Sequence, residues 1–489
     1  MSKYNLTFLF ICHKIILVRI RKGVIFMEYI SIHDMSNKWN IKERKLTALC
    51  RDNRIAGARK MGKTWLIPSD ALKPLDKRTK EYNEIINSDS INYSESNGEE
   101  KVVKAFIDKY HKEPMYTTFT PYRICPLGAH VDHNLGYITG FAIDKGIHIA
   151  YNIKQNGIVE LESLQFPKRA QWHVLETPRV KEGDWADHLR GATIALNKRY
   201  PLRYGISAII DGELPIGGLS SSAAVIITFI SALAFLNNIK LTKEEMITIS
   251  KEAENEYVGV SCGKLDQSCE VYSKKDNLLY MDMLDDSYKL IPTPKNMKPY
   301  VIGIFFSGLE RSLASSKYNM RTDELRSAAY ELKALSGMEY GKFNETNLRE
   351  VPYEIYLKYK DKLPLNFGKR AEHFYSELDR VQKGIEAYQK GDIELFGKLV
   401  TESGYSSIHN WETGSDELIK LYEILKDCKG VYGTRFSGAG FKGCCMAIID
   451  PKYSDEILSK VEEEYLKAFP NLKGKYSGHI CHTADGVKL

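Results

Sequence analysis

The sequence predicts an α+β protein in which a small N-terminal module of helices and strands precedes a much larger body. Three observations support this prediction. The chain has 489 residues, which at roughly 150 residues per domain suggests about three structural units. Hydrophobic residues make up 43% and charged residues 27% of the chain, as in ordinary globular proteins. Beyond residue 100, short runs typical of strands alternate with long amphipathic helical patterns.

The first 26 residues are rich in apolar side chains, but they match neither a membrane span nor a signal peptide. Basic residues interrupt the apolar run well before the ~20 apolar residues that a span requires, and no small-residue cleavage site follows. The nine cysteines form no CxxC pair, so neither a disulfide framework nor a zinc site is indicated. We expect a cytoplasmic protein without a membrane partner. Residues 1–26 would be a dispensable extension, with Met27 as the true start.

Residues 27–75 have the pattern of a small helix-turn-helix domain with a wing. A first helix begins near Ser31, and apolar residues at helical spacing predict a second from Lys42 to Arg54. One face of that second helix carries Leu46, Leu49 and Cys50. Residues 55–68 predict two short strands joined by a basic turn. The pattern resembles the excisionase-like and MerR-like winged modules, which implies a DNA or protein partner. A scaffold or oligomerisation role with a solvated basic face is an equal alternative.

A phosphate-loop motif inside this module is a chance match. Residues Gly57 to Thr64 fit the pattern GxxxxGK[ST]. The motif binds phosphate only where a strand leads into it and a helix follows. Here a helix is predicted before it, and the strand-like segment Trp65–Pro68 follows.

Residues 76–100 have the composition of a flexible linker, because they are polar, rich in Ser and Asn, and almost free of large apolar residues. The next informative segment is a glycine-rich turn that leads into an apolar helical run. Gly217 and Gly218 precede three serines, Ser220 to Ser222. Such a turn exposes backbone N–H groups and a positive helix end to phosphate oxygens, and a serine hydroxyl can reach Mg²⁺. Alone, the segment is equally typical of an ordinary serine helix cap.

Two further segments place polar groups on predicted loops, one from Pro121 to Asn134 and one from Arg435 to Cys444. Together the three segments resemble the signature motifs of the GHMP kinases, specifically of the galactokinase branch. Further matches lie between them: Asp184-Trp185, Gly263 to Gln267, Leu313 to Tyr318, and Arg370 to His373. The resemblance covers about 101–489 in the family's order. It implies a two-lobed kinase fold, with one lobe at 101–300 and the other at 301–489.

The resemblance implies a sugar 1-kinase that uses ATP and Mg²⁺. The implied ATP-binding residues are Pro215, Gly217, Gly218, Leu219, Ser220, Ser221, Ser222, Gly438 and Gly440. The central turn is one glycine shorter than the family's Pro-x-Gly-Gly-Gly-Leu-Ser-Ser-Ser form. Ser222 and Glu254 would bind Mg²⁺, since Glu254 lies twelve residues before Asp266, as the family's metal ligand does. The alternative for Glu254 is a solvated helix carboxylate.

The same resemblance implies the catalytic pair. Asp266 matches the galactokinase aspartate beside the sugar C1 hydroxyl, where a carboxylate can accept the hydroxyl proton. Arg123 matches the neighbouring arginine, whose fixed charge would keep Asp266 ionised and offset charge on the transferring phosphoryl group. A purely structural ion pair is the alternative for both residues.

Substrate choice depends on the segment Gly128-Ala129-His130-Val131-Asp132. Galactokinases have Gly-Glu-His-x-Asp there, so the resemblance implies sugar contacts from His130 and Asp132. Further implied substrate-binding residues are Gly263 and Tyr318. Ala129 removes the glutamate that contacts the C6 hydroxyl. Two unit charges about 4 Å apart repel by roughly 4 kcal/mol, so losing this acid admits a C6 carboxylate.

This segment, together with Asn410 to Ser415, resembles the galacturonokinases of plants and implies phosphorylation of galacturonate at C1. Candidate partners for the C6 carboxylate are His133, Arg311, Lys317 and Tyr318. Two alternatives remain open. The substrate is galactose if Ala129 is a neutral change, and the protein is a sugar-sensing transcription regulator if its kinase body no longer catalyses. The presence of every residue that phosphoryl transfer needs argues against the regulator.

Lys63→Ala is expected to leave ATP-dependent sugar phosphorylation unchanged, as is deletion of residues 1–98, because the chance motif lies outside the predicted kinase body. Steady-state ATP consumption by the wild type and both variants tests this expectation. Loss of turnover in Lys63→Ala would show that the motif does bind phosphate.

Overall fold

The computed structural model describes most of the chain and divides it into an N-terminal unit, up to residue 73, and a large body that starts at Asn97. The described residues are 8–10, 15–20, 23–51, 55, 58–62, 64–69, 71, 73, 97–309 and 315–489. None of the described helices combines the length and apolarity that crossing a membrane requires.

The N-terminal unit consists of a five-stranded sheet, ordered β1-β2-β3-β5-β4, and two helices. The strands are β1 Phe8–Phe10, β2 Ile15–Ile20, β3 Gly23–Ser31, β4 Arg59–Met61 and β5 Thr64–Pro68; the helices are α1 Ile32–Trp39 and α2 Glu43–Arg51. Ser31 begins α1 through a reciprocal capping box with Asp34. Met35, Leu46 and Ile67 are fully buried in one small core.

The order of two helices followed by a hairpin agrees with the sequence, and the apolar face predicted for α2 is buried. Strand β3 runs through Met27, so the predicted boundary at that residue falls inside a strand. Thr64 begins a strand rather than a helix, as expected for a chance phosphate-loop match. Gly57 and Lys63 lie outside the described residues.

The predicted linker ends earlier than residue 100. Residues 76–96 lie outside the described part of the chain, whereas α3 begins at Asn97 and continues to Tyr110. Val102 and Phe106 are fully buried against the large sheet, so this helix packs on the sheet through an apolar stripe. Its first turn is charged, which made the start of the helix look like linker in the sequence.

An eight-stranded sheet forms the first half of the body, and its central strand is β7, Tyr137–Lys154. The other strands are β6 Tyr116–Ile124, β8 Ile158–Ser163, β9 Ala170–His173, β10 Gly205–Gly212, β11 Asn277–Asp282, β12 Ser287–Pro292 and β17 Thr483–Ala484. The order is β12-β11-β7-β10-β8-β9, with β6 and β17 also paired to β7. Strand β7 is buried on both faces over most of its length, and apolar residues predominate in its segments 138–143 and 147–151.

Helices cover this sheet and carry the functional loops at their ends. They are α4 Asp187–Asn197, α5 Ser221–Leu236, α6 Lys243–Glu252 and α7 Leu265–Tyr272, with a π-helical turn at Ala253–Val258. Helix α5 is apolar on all sides because it is buried on nearly all sides.

The second half of the body has a four-stranded antiparallel sheet, ordered β14-β15-β13-β16, and six helices among the described residues. The strands are β13 Val301–Phe306, β14 Val431–Phe436, β15 Cys444–Ile449 and β16 Ser477–Cys481. The helices are α8 Ser315–Ser336, α9 Tyr353–Tyr359, α10 Leu365–Lys390, α11 Ile393–His409, α12 Asp416–Lys426 and α13 Ser454–Ala468. Strand β17 returns to β7 in the first sheet, so the end of the chain joins the two halves and does not belong to the second alone.

Candidate functional site

The centre of the site is an ion pair between Arg123, near the end of β6, and Asp266, in the first turn of α7. Arg123 donates to Oδ1 of Asp266 from Nε at 2.9 Å and from Nη2 at 2.8 Å. Its Nη1 donates to the carbonyl oxygen of Gly218 at 3.2 Å. The arginine side chain is only 3% exposed, whereas the aspartate is 29% exposed. The carboxylate is therefore held by a buried cation while it faces space that a ligand can enter.

The charge of Arg123 is secure. Burial by itself would lower the pKa of this guanidinium, but the adjacent Asp266 carboxylate more than compensates and holds the pKa above its usual value. The pair therefore presents a carboxylate and a permanent positive charge side by side.

Two glycine loops pack against each other beside this pair. The first glycine loop, residues 215–220, ends where α5 begins at Ser221; the second, residues 437–443, connects β14 to β15. Gly218 has a φ of 87°, and a Cβ there would lie 2.6 Å from Sγ of Cys444. The loops touch through their backbones, so a side chain at Gly218 would separate them.

This contact brings together the predicted ATP-binding residues of two segments that are distant in sequence. Leu219 is buried, and its carbonyl oxygen accepts a hydrogen bond from the backbone N–H of Arg123 at 3.5 Å. A Cβ on Gly438 would meet the backbone of Gly218 at 2.9 Å. Ser222 follows in the first turn of α5. The loop and the helix end together expose backbone N–H groups suited to phosphate oxygens.

Glu254 lies in the π-helical turn and is 4% exposed. Its Oε2 accepts a hydrogen bond from Nε2 of Gln267 at 2.5 Å, and Gln267 directly follows Asp266. This contact ties Glu254 to the catalytic helix, so the alternative of a solvated surface carboxylate does not hold. The Glu254 carboxylate and the Ser222 hydroxyl are oxygen donors of the kind that Mg²⁺ prefers. Within the described ranges, no group of three or more His, Cys, Asp or Glu side chains has the arrangement of a metal site.

The loop of residues 125–134, here called the His130 loop, is held from behind by α10. Oε1 of Glu377 accepts a hydrogen bond from the backbone N–H of Gly128 at 2.7 Å. Nε2 of His373 donates to the carbonyl oxygen of Ala129 at 3.0 Å. Burial lowers the pKa of His373 to about 4, so the ring is neutral near pH 7. Burial opposes ionisation of Glu377, yet Arg380, His373 and Arg435 lower its pKa to about 2.

Aromatic rings form the wall next to Ala129. The ring of His130 stacks on Trp411, with centroids 5.0 Å apart and planes 6° apart. His133 lies 5.8 Å from the same indole. Tyr318 lies 6.5 Å from His130 and 6.1 Å from His133, measured between ring centroids. Ala129 itself is 6% exposed.

Asp132 links the His130 loop to the start of α7. Its Oδ2 accepts a hydrogen bond from the backbone N–H of Leu265 at 3.3 Å. A Cβ on Gly263 would overlap this carboxylate oxygen, which explains the glycine at that position. Burial alone would raise the pKa of Asp132, but His133 and the backbone N–H groups lower it. The acid is therefore ionised close to Asp266.

A buried ionic network supports the segment that carries Trp411. Arg370 is fully buried and donates to Oε2 of Glu324 at 2.7 Å and to Oε2 of Glu412 at 2.6 Å. Lys369 also donates to Glu412 at 2.6 Å, and these hydrogen bonds lower the pKa of Glu412 to about 2. Two neighbours of the indole in the chain are thus fixed, since Arg370 also donates to the carbonyl oxygen of Asn410.

The structure thus brings the predicted residues Arg123, Asp266, Asp132, Gly263 and His130 into one site. Among the candidates for a C6 carboxylate, His133 and Tyr318 lie beside Ala129, whereas Arg311 and the side chain of Lys317 lie outside the described residues. Sequence reasoning assigned no roles to Glu377, His373 or Trp411. His373 ends the segment from Arg370 that matches the family, and Glu377 lies four residues further along α10.

Comparison with known proteins gives matches across the body. Two family models match: the GHMP kinases N terminal domain over residues 187–274 and the GHMP kinases C terminal over residues 385–467. A galacturonokinase of Arabidopsis thaliana is 38% identical over 393 residues, which cover 76% of this chain and 92% of the relative. A galactokinase of Clostridium perfringens is 32% identical over 368 residues, which cover 74% and 93%.

A solved structure has a similar fold. The structure of Lactococcus lactis galactokinase complexed with galactose aligns with a TM-score of 0.72 at 26% identity, over 79% of this chain and 98% of that chain. Both family models lie within the body, so the N-terminal unit is outside them.

Glu377→Gln is expected to destabilise the body by about 3 kcal/mol at pH 7, because folding lowers the pKa of this group from 4.5 to about 2. A lowered folded-state pKa contributes stability above the unfolded value, and that stability is lost as the pH falls through the folded value. The difference from the wild type should therefore be smaller at pH 3 than at pH 7 in urea unfolding, because the contribution is lost mainly between pH 4.5 and about pH 2. Glu386→Gln is the control, since Glu386 is 69% exposed on the same helix. An equal difference at both pH values would contradict the expectation.

Proposed function

The chain belongs to the galactokinase and galacturonokinase branch of the GHMP kinases, and we propose that its substrate is D-galacturonate, which it phosphorylates at C1. As a member of this branch it is a sugar 1-kinase, a phosphotransferase with an alcohol acceptor and ATP as co-substrate. The observation that carries the proposed substrate is Ala129, at the position where galactokinases have an acid facing C6. The 38% identity to a galacturonokinase supports the same choice.

In the proposed reaction Asp266 accepts the proton of the C1 hydroxyl as the oxygen attacks the γ-phosphorus of ATP. The partly exposed carboxylate can reach such a hydroxyl, and general-base catalysis of this kind contributes about 10²- to 10⁴-fold. Arg123 holds Oδ1 of Asp266 through two hydrogen bonds and supplies a buried counter-charge for the carboxylate. Its positive charge also offsets negative charge that develops on the transferring group.

The two glycine loops and the N-terminus of α5 are the proposed site for the phosphates. Backbone N–H groups of Gly217 to Ser221 would bind phosphate oxygens, with Gly438 packed against Gly218 from the other side. Gly440 lies further along the second glycine loop, against Thr413 and Phe436. Ser222 and Glu254 would hold Mg²⁺. When bound, that ion neutralises charge on the β- and γ-phosphates.

The His130 loop is the proposed sugar site. Asp132 would contact ring hydroxyls, and His130, Gly263 and Tyr318 would complete the sugar site. Ala129 leaves the C6 end without an acid, so a substrate carboxylate meets no like charge there. Galactose is the second candidate substrate, because the galactokinase relatives are 30–32% identical to this chain.

For the N-terminal unit we propose binding to DNA or to a protein partner, through a winged helix-turn-helix arrangement. The exposed basic side chains of Lys42, directly before α2, of Arg44 on α2 and of Lys60 on β4 support this proposal. Deletion of residues 1–98 tests it, since duplex DNA should bind the full chain and not the truncated one. Equal affinity of both proteins for DNA would leave a protein partner or a scaffold role, and would argue against a sugar-sensing transcription regulator that binds DNA through this unit.

Asp266→Ala and Arg123→Ala are each expected to lower kcat by about a hundredfold or more while the fold survives. Asp266→Ala should also lower the melting temperature, because it leaves the buried guanidinium of Arg123 without its counter-charge. Because the two side chains are in contact, the double variant should lose much less than the product of the single losses. Asp323→Ala is the matched control on an exposed acid. Near-normal turnover of Asp266→Ala would remove its assignment as the base.

Ala129→Glu is expected to lower kcat/KM for galacturonate by at least a hundredfold, because two like charges about 4 Å apart repel by roughly 4 kcal/mol. Galactose should be spared or improved. Ala129→Gln is the matched control, since it adds the same volume without the charge. Measuring both sugars on all three proteins decides the matter. The charge argument fails if the wild type prefers galactose or if Gln and Glu depress galacturonate equally.

A further inference from the structure

Buried nitrogen atoms that have no hydrogen-bond partner in the part of the chain that the structure describes surround Ala129. They are Nε1 of Trp411, Nε2 of His130 and Nε2 of His133. The three side chains are at most 8% exposed, and Trp411 is fully buried. Leaving a buried donor without an acceptor costs about 1–3 kcal/mol. Three such atoms in one cluster therefore indicate a site whose acceptor arrives with a ligand.

These atoms belong to one stacked group. His130 lies parallel to the indole at 5.0 Å, and His133 lies 5.8 Å from it. His373 packs 5.5 Å from the same indole while it holds the carbonyl oxygen of Ala129. The backbone at Ala129 and the Trp411 ring are thus fixed relative to each other, which gives the cluster the rigidity of a binding site.

The cluster consists of donors without a fixed charge. An indole N–H only donates, and it cannot accept. Burial, followed by the nearby His373 and Arg435, keeps the pKa of His130 well below its usual value, so this ring is neutral and offers one N–H. A hydroxyl needs an acceptor for its own hydrogen as well as a donor. A carboxylate only accepts, so it suits a site that is rich in donors.

Cations described around the loop already have partners. Arg123 binds Asp266 and Gly218, and Arg370 binds Glu324, Glu412 and Asn410. Arg435 donates to the hydroxyls of Ser403 and Ser407. Among the groups that the structure describes, a carboxylate at Ala129 would therefore have to take a cation from an existing pair or use the neutral donors.

We propose that the indole N–H of Trp411, together with the imidazole of His130, binds the C6 carboxylate of the sugar acid, so that Trp411 determines substrate specificity. This inference rests on the proposed galacturonate activity and names the groups that recognise the acid. Selectivity then comes from two features of one wall: no acid at Ala129 to repel the carboxylate, and neutral donors to receive it. Removing the Trp411 N–H should weaken the binding of galacturonate strongly, because the charged carboxylate loses a hydrogen-bond donor. Galactose has no carboxylate, so it should lose little binding free energy.

Trp411→Phe tests the proposal, because it removes the N–H and keeps an aromatic ring against His130. The expected result is a 10- to 100-fold lower kcat/KM for galacturonate, mainly through KM, with galactose changed by less than about threefold. Trp172→Phe is the matched control. Trp172 is a buried indole whose N–H donates to Thr193, remote from the loop. Trp172→Phe should leave the ratio of kcat/KM for galacturonate to kcat/KM for galactose unchanged.

A second measurement does not depend on how Trp411→Phe folds. The chain has five tryptophans, so ¹⁵N-tryptophan labelling of the wild type gives five indole N–H signals. One signal, still present in Trp172→Phe, should move downfield when galacturonate binds and stay in place with galactose.

The outcomes separate this inference from the proposed function. A wild type that prefers galactose overturns both. A wild type that prefers galacturonate, with no indole signal moved by it, overturns the role of Trp411 and leaves the function intact. The role of Trp411 is also overturned, and the function left intact, if Trp411→Phe keeps the wild-type melting temperature but loses activity equally on both sugars.

Discussion

The buried guanidinium of Arg123 is the interaction on which the rest of the site depends. It bridges the Asp266 carboxylate on α7 and the Gly218 carbonyl oxygen of the first glycine loop. One side chain therefore fixes the proposed base and the proposed phosphate loop relative to each other. A cation that is 3% exposed is stable only with its counter-charge in place. The ion pair that positions the proposed base therefore also stabilises this region.

Other buried acids around the site are likewise held in place by neighbouring groups. The ionised carboxylate of Glu377 is buried between Arg380 and Arg435. It accepts hydrogen bonds from the backbone N–H of Gly128 and from the hydroxyl of Ser403. Gln267 holds Glu254, and Leu265 holds Asp132. Each of these three acids is oriented by hydrogen bonds before any ligand arrives. Such preorganisation avoids the cost of reorienting polar groups during phosphoryl transfer.

The wall beside Ala129 differs in kind from these satisfied pairs. There the protein keeps buried nitrogen atoms without internal acceptors and excludes an acid. A site can contain unsatisfied donors when a ligand supplies the acceptor. Leaving these donors unsatisfied costs free energy in the free protein, and a ligand that lacks the acceptor does not recover that free energy. The site therefore discriminates against such ligands. The ionic network of Arg370, Glu324 and Glu412 holds the Trp411 segment rigid, which such discrimination requires.

Much of this protein could be predicted from its residues in linear order. The glycine loop before α5, the helices and hairpin of the N-terminal unit, and the pairing of Arg123 with Asp266 follow from local spacing or from motifs in a fixed order. The extra strands β1 and β2, the early start of α3 and the return of β17 to the first sheet did not. The roles of Glu377, His373 and Trp411 were also invisible, since they depend on contacts across 244 to 249 residues, as in the bonds from His373 and Glu377 to the His130 loop. The sequence by itself determined which chemical groups the site contains. Only the tertiary structure decided which of them are buried without a partner, because burial and hydrogen bonding depend on what lies nearby in space, and linear order does not record that.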